Sequence, residues 1–386
     1  MGVAYFAGGP LVEDKNGKLY GISYNDKLLS RYLSFCDDLE LCMRKKKQDE
    51  VTGLSEITLP NVHFTEVIDL TPIRNFPKSY LARKTINEVI DRCDGIIIRL
   101  PSTTGRIAIR CCRKKKKPFL VEMVGCPWDA LWNHSWKGKI LAAPITLMTK
   151  HETKIAPAVI YVTNEFLQRR YPTKGKQIGC SDVEFEDIDE SILKKRKMKI
   201  QSHTGTIIIG TTAAVNVKYK GQHFIIRALG ELKKRGITNY KYQLVGNGSQ
   251  DYLKRIAKEC DVEDQVELMG GMSHEDVFKW LDSIDLYVQP SKQEGLPRAL
   301  VEAMSRGLPA FGSNTGGIPE LLDPSCIFKK GHDCEQRIIN VLESFDKDKM
   351  LSQSVKNYET AHHYRKEELE ERRNKFYKGF FENPSD

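Results

Sequence analysis

Long apolar runs are missing. No stretch of the 386-residue chain reaches the ~18 uninterrupted apolar residues that span a bilayer, and the best candidate, 140–148, is short and contains Pro144. The first eleven residues have no basic flank and include Gly8, Gly9 and Pro10, so no secretory signal is expected, and Phe6 stands where a myristoylation signal needs Ser or Thr. The ten cysteines form no Cys-x-x-Cys pair, which argues against a zinc site and a disulfide framework; reduced thiols in a cytoplasm are expected. No short repeat is present. Charge of one sign is in modest excess, +9 overall, and part of it lies in the runs 45–47, 113–117 and 194–197. These runs lack interleaved aromatics and a reading motif, so nucleic acid is not an expected partner.

What is present is a globular composition, 40% hydrophobic, at a length that predicts two domains. Short apolar runs rich in Val, Ile and Tyr alternate with stretches of helical period, the mark of parallel α/β units. Strands are expected at 3–7, 39–43, 62–67, 95–100, 119–124 and 159–162, then at 206–209, 242–245, 266–269, 286–289 and 310–312. Helices are expected at 26–35, 79–92, 222–235, 250–260, 275–283 and 298–306. Each half can close its own sheet. Between them 171–200 reads as a linker, with Asp182, Glu184, Glu186, Asp187, Asp189 and Glu190 followed by Lys194, Lys195, Arg196 and Lys197. The last segment, 362–381, reads as a helix that docks Leu369, Phe376, Tyr377, Phe380 and Phe381.

The most informative stretch is Ser291-Lys-Gln-Glu294-Gly295-Leu296-Pro297-Arg298, continuing to Glu302 and Gly307. It follows a strand whose C-terminal end is where open parallel sheets hold ligands. Gly295 permits close backbone approach and Pro297 suits a helix start, so free amides would face an anion such as phosphate. A lone Glu294 more often caps a helix, and a lone Glu302 is more often solvated; the spacing lets the two address different ends of one extended ligand. The combination resembles the retaining glycosyltransferases of GT-B fold, family 4, whose motif is two Glu separated by seven residues before a small-residue helix and a glycine. The run Ser313-Asn-Thr-Gly316-Gly317-Ile-Pro-Glu320 fits the same pattern.

Lys220-Gly221 is similar to the family's lysine on the donor diphosphate, where an ammonium offsets leaving-group charge; alone it reads equally well as an exposed helix-start lysine. Gly246 and Gly271 lie in strand-to-glycine turns that in the family line the nucleotide pocket. Gly210-Thr211 replaces a glycine-arginine pair common there, with Lys218 and Arg298 as substitutes. In the first half, Gly8-Gly9 or Gly21 can serve as the family's glycine turn. A family His is absent from Val124-Gly-Cys-Pro-Trp-Asp129, leaving Asp129 or His134, and Arg99 is an acceptor or phosphate candidate, or structural if paired with a carboxylate. Gly-Cys-Pro-Trp-Asp and Glu-Gly-Leu-Pro-Arg together resemble bacterial transferases of surface-polysaccharide assembly.

The resemblance implies two Rossmann-like doubly wound domains facing across a cleft: 1–196 with a returning helix 361–386 for the acceptor, and 197–360 for the nucleotide sugar. It implies transfer of a sugar from a UDP- or GDP-linked donor to a glycan or lipid-linked acceptor, with Glu294 on the sugar hydroxyls, Glu302 on the ribose and Lys220 on the diphosphate. It asks for no metal or other cofactor. A nucleotide-sugar epimerase of similar architecture and a non-catalytic binding subunit are the alternatives. The basic helix end 110–117, near Ile107 and Ile109, suits peripheral contact with an anionic membrane face, or is stabilised simply by the helix C-terminus.

Overall fold

A computed structural model describes residues 1–70, 72–183, 185 and 189–382. The chain forms two compact units, Met1–Trp128 with Ile140–Cys180 and Glu370–Asp386, and Asp129–Lys139 with Ser181–Leu369. Both are α/β.

The first unit is built on β1 (Gly2–Glu13), β2 (Leu19–Gly21), β3 (Asp38–Lys47), β4 (Ser55–Glu56), β5 (Val62–Glu66), β6 (Gly95–Leu100), β7 (Leu120–Met123), β8 (Ala158–Tyr161) and β9 (Lys176–Gly179). The parallel strands run β5-β3-β1-β6-β7-β8-β9, while β2 and β4 add antiparallel pairs beyond β1. Helices on a parallel sheet bury its strands on both faces, which is why β6 carries the run Ile96, Ile97, Ile98, all fully buried. The helix Thr103–Lys115 follows β6; its start is capped by the Ser102 hydroxyl, which accepts from Gly105 N at 2.9 Å.

The returning C-terminal helix, Lys366–Glu382, contributes Glu370 onward to this unit. Tyr377 stacks on Phe35 with ring centroids 4.5 Å apart, and its hydroxyl donates to the buried carboxylate of Glu122. Burying an aromatic of this size contributes roughly 1.5–3 kcal/mol, so Tyr377 and Phe380 together hold the helix in place.

The second unit carries β10 (Ile207–Thr212), β11 (Tyr240–Val245), β12 (Val266–Gly270), β13 (Leu286–Gln289), β14 (Ala310–Ser313) and β15 (Ile327–Phe328). All are parallel, in the order β12-β11-β10-β13-β14-β15. This is the doubly wound order 3-2-1-4-5-6, whose direction of winding reverses between β10 and β13.

The stretch read as a linker is structured at both ends. Its first part forms β9 at the edge of the first sheet, and its second forms the helix Glu190–Ser202, which belongs to the second unit. The division therefore falls after Cys180, not after residue 196. The cause is Arg196: it is buried, and its guanidinium donates to the carbonyls of Ile284 at 2.6 Å and Leu281 at 2.8 Å. Glu184, Glu186 and Asp187 of the acidic run lie outside the described residues. The C-terminal return begins at Glu370 rather than 361, because Tyr358 and Ala361 are buried in the second unit. None of the ten cysteines is in a disulfide, and among the described residues no helix is long and apolar enough to cross a membrane.

Candidate active site

In a doubly wound sheet the loops leaving the two strands at the reversal diverge and open a crevice. Here those loops follow β10 and β13, and they carry Lys220 and Glu294. Gly221 brings them together: its φ of +79° is in the left-handed region, and a Cβ there would stand 2.0 Å from the carbonyl oxygen of Pro290. Lys292 N donates to the Tyr219 carbonyl at 2.7 Å across the same contact. As a result Lys220 Nζ lies 2.7 Å from Glu294 Oε1, with side chains 23% and 11% exposed, so both remain reachable by a ligand. Glu294 Oε1 also accepts from Gln289 Nε2 at 3.1 Å. Gln289 is held in turn by the Tyr287 hydroxyl, which donates to Gln289 Oε1 at 3.2 Å. Burial pushes the Tyr287 phenol up, and the nearby Glu302 and Glu294 carboxylates add to the shift, so it stays a proton donor.

Leu296 and Pro297 are buried anchors of this loop, and Arg298 is the exposed first residue of the helix Arg298–Ser305. Pro297 supplies no side-chain cap, so the amides of the first turn have no capping side chain. Gly316, φ +56°, packs where a Cβ would stand 2.3 Å from the Glu294 carbonyl oxygen, and Gly317 N donates to Gly295 O at 2.7 Å. Glu302 lies within the helix with Oε1 3.5 Å from His274 Nε2. The two carboxylates thus have different partners and are not arranged as an acid/base dyad.

The remaining loops at this edge are held by glycines at crossings. A Cβ on Gly246 would stand 1.9 Å from Ala213 O, and one on Gly271 would stand 1.9 Å from Asn247 Oδ1. Three neighbours were not singled out from the sequence. Gln289 supports Glu294, Lys292 sits 4.5 Å over the Phe224 ring, and His223 is buried in the first turn after Gly221. Burial, then the Lys292, Arg227 and Lys218 cations, brings the His223 imidazole down to about 4. The available signals were a glutamine ending an apolar strand and a histidine just after Lys220-Gly221. Lys218, proposed in place of the absent arginine, is 4.8 Å over Tyr252 and belongs to the same cationic group.

The first unit has a hollow of about 360 Å³ at its own reversal, between the ends of β1 and β6; Gly8, Gly9, Arg44, Arg99, Ser102 and Thr103 are among its lining. Its cations are already engaged. Arg99 Nη1 donates to Glu122 Oε2 at 3.2 Å, and Arg44 Nη1 to Asp69 Oδ2 at 3.1 Å. Arg99 is therefore a structural partner of a buried carboxylate as well as a lining residue. Gly21 does not line the hollow; it pairs with Ser55 in the antiparallel edge, and a Cβ there would stand 2.2 Å from Tyr24 O. Asp129 and His134 do not line it either, since Asp129–Lys139 belongs to the second unit, where Asn133 Nδ2 donates to Lys292 O at 3.2 Å. Among the described residues no group of three or more His, Cys, Asp or Glu is placed to hold a metal; Asp346 of Asp346-Lys-Asp348 caps the helix Lys347–His362.

Comparison with known proteins agrees with this architecture. A family model described as glycosyl transferases group 1 matches residues 194–359. Protein CapJ of Staphylococcus aureus is 33% identical over 327 residues, 82% of this chain and 80% of CapJ. The amylovoran biosynthesis glycosyltransferase AmsK of Erwinia amylovora is 37% identical over 111 residues, 27% of each protein. Anabaena Alr3699/HepE, crystallised in complex with UDP, superposes with a TM-score of 0.66 at 14% identity, covering 98% of this chain and 100% of that one. That likeness speaks for the fold, the two-unit α/β arrangement of GT-B type. The chain belongs to the glycosyl transferases group 1 family and is a glycosyltransferase.

Proposed function

We propose that the chain moves a sugar, with retained anomeric configuration in the manner of family 4, from a nucleotide-diphosphate sugar to a hydroxyl of a glycan or lipid-linked glycan in surface-polysaccharide assembly. The observation that carries this reading is the Lys220–Glu294 pair at the reversal of the second sheet. A diphosphate arriving there takes the Lys220 ammonium as its counter-ion, beside the uncapped amides of Arg298–Ser305 and the Lys218 and Lys292 cations. Glu294, held by Gln289, then accepts from hydroxyls of the transferred sugar, and Glu302 from the ribose diol. The bond from the anomeric carbon to the diphosphate oxygen breaks as the acceptor oxygen bonds to that carbon on the same face. The acceptor's proton passes to the departing phosphate oxygen. Neutralisation by cations and helix amides asks for no metal. HepE's crystallisation with UDP and AmsK's role in amylovoran biosynthesis support a nucleotide-linked donor and a polysaccharide product.

The test is a donor screen with UDP- and GDP-sugars and lipid-linked acceptors, the product's anomeric configuration being read by NMR and the assay repeated in EDTA. Transfer with retention, insensitive to EDTA, is expected. An inverted product removes the same-face mechanism, and an isomerised nucleotide sugar formed without acceptor assigns the site to epimerisation instead.

A further inference from the structure

The ammonium that a diphosphate takes as its counter-ion already has one: Lys220 Nζ lies 2.7 Å from Glu294 Oε1. The same carboxylate is the acceptor for hydroxyls of a transferred sugar. A nucleoside diphosphate without a sugar therefore meets the pair differently from a sugar-linked one. Either ligand draws the ammonium toward its phosphates, and Glu294, 11% exposed, then has little water to replace it. A sugar brings hydroxyls that donate to that carboxylate. A free diphosphate brings none, and sets its own negative charge beside an uncompensated one.

The group that stays on Glu294 through this exchange is Gln289, itself only 2% exposed. Its neighbours fix the direction of its amide. Thr212 N donates to the Tyr287 hydroxyl oxygen at 3.3 Å, which leaves the Tyr287 proton to donate to Gln289 Oε1 at 3.2 Å. The amide nitrogen accordingly faces Ser291 Oγ at 2.9 Å and Glu294 Oε1 at 3.1 Å. An amide has no net charge, so a diphosphate exerts no comparable pull on it, and a buried side chain does not swing after a ligand as a lysine on its flexible stem does. One fixed neutral donor and one mobile cation thus divide two tasks, holding the carboxylate and cancelling its charge.

We propose that Gln289 is a positioning residue, and that Gln289, Glu294 and Lys220 together make the site discriminate an intact sugar donor from the free nucleoside diphosphate left after transfer. In the resting pair Lys220 neutralises Glu294. With donor bound, the ammonium faces the diphosphate while Gln289 holds Glu294 toward the sugar hydroxyls. Once the sugar has left, Glu294 has no hydroxyl partner; it competes for Lys220, weakens the grip on the diphosphate and promotes its release. Such specificity combines an attraction for the right ligand with a repulsion set against the wrong one. The inference rests on the nucleotide-sugar reading of the site.

The experiment is calorimetric titration of the full chain with UDP, GDP, UDP-glucose and GDP-mannose. It compares wild type, Lys220→Ala, Glu294→Gln, Gln289→Leu and the double variant of the last two. For whichever base binds, wild type should favour the sugar nucleotide over the diphosphate by about 10-fold. Glu294→Gln keeps the side chain's shape and frees Lys220, so affinity for the diphosphate should rise about 10-fold while that for the sugar nucleotide does not, and the preference disappears. Gln289→Leu removes the neutral hold, so Glu294 competes harder for Lys220 and diphosphate affinity should fall about threefold; adding Glu294→Gln should abolish that fall, which a merely structural loss would not do. Unchanged or lowered diphosphate affinity in Glu294→Gln overturns the proposal, and this isosteric variant decides it even where Gln289→Leu does not fold. A fall that persists in the double variant removes Gln289 from its role. Wild-type diphosphate binding by Lys220→Ala would instead withdraw the nucleotide reading itself.

Discussion

Both units place a polar site where their sheets reverse direction, yet they treat their charges differently. In the second unit the pair at the reversal, Lys220 and Glu294, is held by short local contacts and remains partly open to solvent. In the first, the Arg99 cation is committed inward: Glu122 accepts from Arg99, Tyr5 at 3.1 Å, Tyr32 at 3.0 Å and Tyr377. Burial raises all three phenols well above their ordinary range, so they remain donors. One unit leaves its ionic pair partly open to solvent, and the other uses Arg99 and Glu122 to join the C-terminal helix to the sheet. Substitutions at the two reversals should therefore fail in different ways, in chemistry for one and in stability for the other.

The largest expected effect is on turnover. Glu294→Gln keeps the shape and loses the charge, so kcat in a nucleotide-release assay should fall about 100-fold or more, while the melting temperature moves by less than about 2 °C. A collapse of stability instead would erase the distinction between the units. In the first unit Glu122→Leu leaves the half-buried Arg99 and the buried Tyr5, Tyr32 and Tyr377 hydroxyls without their shared acceptor and should lower stability by about 3–5 kcal/mol, read by denaturant unfolding. Next comes pH. The folded His223 imidazole titrates near 4, below its ordinary 6.5, so the unfolded chain binds the proton first. Stability is therefore intact above pH 6.5 and falls as pH drops toward 4, by about 3 kcal/mol over that window. His223→Gln should remove that component of the melting-temperature profile. Arg298→Ala, at an exposed helix start, is the smallest: KM for the donor should change by less than about threefold.

The contrast also explains what could be read beforehand. The juxtaposition of Lys220 and Glu294 in the candidate site was legible because both lie in loops that follow two adjacent strands and stand in short local patterns, as does Glu302 on the helix after the second loop. Gln289, Lys292 and His223 escaped because their roles come from packing between loops some seventy residues apart. In the first unit β1, β3, β5, β6, β7 and β8 were legible from their apolar runs, and β2, β4 and β9 were not, because these short strands bury a single residue, Gly21, among them. The Glu122 cluster draws on β1, β6, β7, the helix Asp26–Leu33 and the C-terminal helix, separations that no local pattern encodes. The same holds for Arg196, which stands in a basic run like a solvated surface residue and is buried.

The most direct test of the Lys220–Glu294 assignment is calorimetric titration of UDP and GDP into wild type, Lys220→Ala and Arg99→Ala. Whichever nucleotide binds should lose affinity about 10-fold or more in Lys220→Ala, a charged contact of about 1.4 kcal/mol or greater, and be nearly unaffected in Arg99→Ala. Unchanged affinity in Lys220→Ala would contradict the assignment.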